Sequence, residues 1–152
     1  MLESVIDNRE FTQLMQKHIE DLVVYFFESE QNFGILCKIE DVNFEPALPE
    51  MIVEEFRPMT LFFLAGYTFE TAHLQDNYLI FEAGFGRDNF GSVVNVPLSS
   101  IMQIIIDETP VFINLSTYKE EDDHKDKTNP KGVENSMASF LSNPENSKFI
   151  KD

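Results

Sequence analysis

Residues 79–98 read LIFEAGFGRDNFGSVVNVPL, two apolar runs around a segment that holds Gly84, Gly86 and Gly91. The spacing G-x-G-x-x-x-x-G invites a phosphate-loop reading. Such a loop leads through Gly-Lys-Ser/Thr into a helix whose free N–H groups hold the anion. Here Gly91-Ser92 runs into Val93-Val94-Asn95-Val96, a strand, and Lys38 is the only lysine between Cys37 and Tyr118. The glycines therefore read as a bend or bulge, and as places where another part of the chain comes close. The stretch predicts two β-strands and a turn, and sets the expectation of a mainly β fold.

On either side the same signal continues. Short β-rich runs occupy 34–39, 51–55, 59–65, 78–83, 93–96, 101–106 and 111–115. Gln75-Asp76-Asn77 and Asp107-Glu108-Thr109-Pro110 supply turns between them. Pro46, Pro49 and Pro58 break the early part, because proline cannot donate to a ladder. Before the strands, Phe11, Leu14, Met15, His18, Ile19, Leu22, Val23 and Phe26 follow the i, i+3, i+4, i+7 spacing of one helical face. Asp7 or Asn8 is placed to cap that helix, expected over 8–30. Val24 and Phe27 widen its apolar surface and are candidate contacts with a partner subunit. One helix followed by many short strands suggests a small barrel or curled sheet over 33–116.

After 116 the composition turns polar, and 117–152 reads as a flexible tail. The charge is unevenly divided. The chain has net charge −16, and residues 1–116 hold nineteen acids against five basic residues, net −14. Such acidity repels phosphate backbones and anionic membranes, and favours a basic partner or one with free backbone donors. MLESVIDNRE has neither a basic nor an apolar leader region, and the single Cys37 in an apolar run fits a buried thiol, so a cytoplasmic location is expected. Asn114-Leu115-Ser116 matches a glycosylation sequon, which carries no weight without secretion.

Catalytic constellations are scarce. His18, His73 and His124 form no H-x-x-x-H pair, and no CxxC, HExxH or G-x-S-x-G occurs. No catalytic residue, metal or cofactor is assigned, and the expectation is a non-enzymatic binding protein.

The segment from 59 to 116 resembles the SspB family (stringent starvation protein B), adaptors that deliver substrates to the ClpXP protease. Phe81, Phe85 and Gly86 fit that family's F-x-x-x-F-G-G, and Val94, Val96, Pro97 and Leu98 fit its V-x-V-P-[LF]. The resemblance implies a pseudo-Sm-like β barrel with an N-terminal helix, acting as a homodimer. It implies a groove for the degradation tag of stalled-ribosome products, the ssrA tag. Ala65, Gly66, Ala83 and Gly84 would leave room for the peptide, while Tyr67, Phe69 and Phe85 would wall the groove or fill the barrel. It further implies a tail motif, here Lys148, Phe149, Ile150 and Lys151, that binds the N-terminal domain of ClpX. Arg87 replaces the second glycine of the family motif, and Asp88-Asn89-Phe90 lengthen the loop, so cargo choice is expected to differ there. The alternatives are the same fold with another peptide or protein cargo, or an Sm-like RNA-binding module, which the −14 body opposes.

Overall fold

Asn8 starts the principal helix. Its backbone is extended, and its side chain accepts hydrogen bonds from the N–H groups of Glu10 (2.8 Å) and Phe11 (3.1 Å), satisfying two donors that have no partner within the helix. This caps α2 (Arg9–Glu28), which follows the short α1 (Leu2–Ile6). The fold is that of a computed structural model describing residues 1–119, and the compact unit is Met1–Thr117. Thr12, Ile19, Val23 and Phe26 are the buried arc of α2. Leu14 and His18, expected on that arc, are exposed. At 100° per residue they fall beyond the face centred on Ile19 and Val23.

The strands are β1 (Phe33–Lys38), β2 (Asn43–Glu45), β3 (Met59–Leu64), β4 (His73–Gln75), β5 (Tyr78–Phe85), β6 (Phe90–Pro97), β7 (Ile101–Ile106) and β8 (Thr109–Ile113). Two helical turns, α3 (Glu50–Val53) and α4 (Tyr67–Thr71), flank β3. All pairings are antiparallel and make two four-stranded sheets, β3-β1-β7-β8 and β2-β6-β5-β4. Among the described residues no ladder joins the sheets, so the architecture there is a pair of sheets with open edges and not a closed barrel. Their inner faces share one core: Phe33, Ile35, Cys37, Phe62 and Leu64 from one, Leu79, Phe81, Val94 and Val96 from the other. α2 adds Ile19, Val23 and Phe26, and packs beside the 3-10 turn Leu98–Ser100. Phe33 and Phe81 are almost completely buried; truncating either to alanine would cost about 3–5 kcal/mol.

The strand expected at 51–55 is the helical turn α3. Pro49 stands just before it with φ −58°, a preset angle that suits the entry to a helix. Both expected turns are two-residue connections with positive φ at both positions: Asp76 (53°) and Asn77 (68°) before β5, Asp107 (52°) and Glu108 (68°) before β8. Pro110 therefore lies inside β8, which tolerates it as an edge strand. Asn114, the sequon residue, is 1 % exposed and is no glycan acceptor. Its amide donates to the Ile101 carbonyl at 3.0 Å, and its oxygen accepts from the Ser116 N–H (3.0 Å) and hydroxyl (2.7 Å). It fastens the chain beyond β8 to the start of β7.

Candidate functional site

β5 is eight residues long, but β4 covers only its first three, with His73 opposite Ile80, Leu74 opposite Leu79 and Gln75 opposite Tyr78. Beyond that point the next group facing the same way is Glu82. Its N–H donates to the Thr71 hydroxyl of α4 at 3.0 Å. Alternation along the strand then turns the N–H and C=O of Gly84 away from β6, with no strand residue opposite them. β5 thus ends in a short open edge.

α4 is held beside that edge by hydroxyl groups. Gly66 enters it at φ +60°, a conformation that favours glycine. The Thr68 hydroxyl accepts from the Ala65 N–H (2.9 Å) and donates to the Ala65 carbonyl (2.8 Å). Thr71 donates to the Tyr67 carbonyl at 3.1 Å, and the Tyr67 phenol donates to Glu82 Oε1 at 2.5 Å. That bond, and then the carboxylate's charge, raise the Tyr67 phenol above its ordinary value.

Between α4 and the β5–β6 hairpin lies a depression of about 580 Å³. Ala65, Tyr67, Ala83 and Gly84 line it together, with Glu45, Glu82, Asn89 and Gly91 among its other walls. Its floor is the outer face of the second sheet. There Gly84 is opposite Gly91, and Val93 is flanked by Glu82 of β5 and Glu45 of β2. The two glycines differ in purpose. A Cβ at Gly84 would overlap the Asn89 amide, so Gly84 lets that side chain close one end of the depression. A Cβ at Gly91 would meet nothing within 4 Å.

The remaining expected residues lie elsewhere. Gly66 and Phe69 line a second depression, of about 650 Å³, together with Phe27. Phe27 packs against Phe69 edge-to-face at 5.7 Å and near Phe33 at 6.2 Å, so this candidate dimer contact is partly buried within its own subunit. Val24 is 38 % exposed on α2, near the more exposed Tyr25. Phe85 points between the sheets into a cluster with Phe44 (5.6 Å), Phe56 (6.2 Å) and Phe62 (6.4 Å). Gly86, at φ +74°, leaves room for Ile52 of α3, whose Cδ1 would be 3.0 Å from an added Cβ. Arg87 is exposed in the turn between β5 and β6 and does not line the depression. Lys148, Phe149, Ile150 and Lys151 lie outside the described residues.

Glu45 and Glu82 were not singled out in the sequence, whereas Gly91 was read as one of the bend glycines and Asn89 as part of the lengthened loop. Alternation in β5 places Glu82 on the same face as Gly84, which was a usable signal. β2, only three residues long, offered none for Glu45. Among the described residues no helix is long and apolar enough to cross a membrane, and no three His, Cys, Asp or Glu side chains converge as for a metal. No family model matches the sequence, and no curated protein matches it.

Proposed function

We propose that the protein is a non-enzymatic adaptor that takes up an extended peptide, the ssrA-like tag of a protein bound for degradation, along the open end of β5. The observation that carries this reading is the main chain at Gly84, unpaired among the described residues, beside a depression that Ala65, Tyr67 and Ala83 line with it. A peptide strand gains main-chain hydrogen bonds from such an edge and its specificity from the neighbouring pocket. On this reading the two sheets are an opened form of the pseudo-Sm-like barrel implied by the SspB resemblance. Val24 and its exposed neighbours on α2 would meet a second copy. The segment with Lys148, Phe149, Ile150 and Lys151 would dock on the N-terminal domain of ClpX.

Magnitudes divide the labour. Two or three main-chain bonds contribute about 1 kcal/mol each. Micromolar binding needs about 8 kcal/mol, so side chains in the depression must supply most of it.

Fluorescence anisotropy with a labelled ssrA-tag peptide tests the reading. The full chain is expected to bind at micromolar or better affinity, and Gly91→Phe, which fills the depression from its floor, to lose that binding while keeping its circular dichroism and melting temperature. Deleting residues 147–152 is expected to leave peptide binding intact and abolish delivery of tagged substrate to ClpXP. Equal peptide affinity in Gly91→Phe would overturn the placement, and normal delivery by the truncated chain would overturn the tail's role.

A further inference from the structure

The described walls of the depression beside β5 carry charge of one sign. None of the described residues lining it is Lys, Arg or His, while Glu45 and Glu82 both face it. They sit on either side of Val93 in one cross-strand row, so their Cα atoms are two strand spacings, roughly 10 Å, apart. Neither carboxylate has an ion-pair partner among the described residues. Glu82 is held in place by the Tyr67 phenol, and Glu45 closes β2 where the Ser92 hydroxyl donates to the Pro46 carbonyl at 2.9 Å. The side chain between them is apolar.

Resting on the peptide reading above, we infer that this depression selects a lysine or arginine of the bound peptide. The peptide main chain pairs with Gly84, and a basic side chain there reaches inward across β5 to bring its cation to Glu82, with Glu45 beyond Val93 adding to the same negative field. Two features meet in one place. The open edge fixes where the peptide runs, and two carboxylates with no ion-pair partner among the described residues suit a cationic head. An acidic residue at that peptide position would be repelled by both. This places the main determinant of cargo choice on the sheet face, at Glu45 and Glu82, and not at the exposed Arg87.

A degenerate nonapeptide library, N-acetylated and C-amidated, is passed over the immobilised full chain, and the retained pool is sequenced. A chain this acidic attracts basic peptides everywhere, so the reading is the difference between proteins. The wild type is expected to enrich Lys plus Arg at least about threefold over Glu45→Gln/Glu82→Gln, a gain of the size exposed ion pairs give. Glu45→Lys/Glu82→Lys is expected to enrich Asp and Glu instead. Equal Lys and Arg content in the wild type and the glutamine variant would overturn the inference. If Gly91→Phe still abolished retention in that case, the peptide reading would stand without it. Retention that Gly91→Phe leaves unchanged would overturn the peptide reading itself.

Discussion

Cys37, the last residue but one of β1, has no exposed surface, and its sulfur is 3.7 Å from the Thr60 carbonyl oxygen of β3. Burial first, and then the charge of Asp41, push its thiol up to about 12 from an ordinary value of 9.0. The unfolded chain releases that proton above its ordinary value, whereas the folded chain holds it until the raised one. Stability is therefore present in full below pH 9.0 and falls as pH rises towards about 12, by about 1.4 kcal/mol per unit. Urea midpoints measured from pH 8 to 10 are expected to fall more steeply for the wild type than for Cys37→Ala; parallel slopes would count against the buried thiol. The apolar run ILCKI already indicated such a thiol. The partner of Gly84 was not legible in the same way. Asn89 reaches it only because the β5–β6 register places a four-residue turn between Phe85 and Phe90, and composition does not encode that register.

Among the elements, the long ones were readable and the short ones were not. β5, β6 and β7 carry enough consecutive β-branched and apolar residues to show themselves, and α2 has twenty residues of helical period. α4 has a strand-like composition, YTFET, and is helical because Gly66 turns the chain at its start and Thr68 and Thr71 tie it to its surroundings. Those are tertiary causes. β2 and β4 have three residues each, too few for a period to register. The two hairpin turns were signalled by their acidic and amide residues, but one carries a cost. Glu108 holds φ +68°, where a side chain with a Cβ is strained by about 1–2 kcal/mol. Glu108→Gly relieves that strain against the larger chain entropy of glycine, and is expected to stabilise the domain by roughly 0.5–1 kcal/mol in urea unfolding. A destabilised variant would show that Glu108 contributes contacts that outweigh its backbone.

For the whole molecule, the sheet pair presents two unlike surfaces. The outer face of the sheet formed by β3, β1, β7 and β8 exposes Leu61, Phe63, Val111 and Ile113, whereas the face formed by β2, β6 and β5 presents glycines, Val93 and two carboxylates. A peptide strand needs an open edge together with lining side chains, and the second face offers both at Gly84. The family resemblance suggested Ala65, Ala83 and Gly84 as small residues that leave room and Tyr67 as a wall, and these four line one depression. It grouped Gly66, Phe69 and Phe85 with them, since nothing local distinguishes an aromatic that fills a core from one that walls a groove. The most direct test of peptide uptake on β5 is an amide-resolved titration of the ¹⁵N-labelled full chain with unlabelled ssrA-tag peptide. The largest shifts are expected at Glu82, Gly84, Gly91 and Val93, with hydrogen exchange at Gly84 slowed several-fold as its N–H gains a partner. Largest shifts at Leu61, Phe63 and Ile113, or no shifts at saturating peptide, would contradict it.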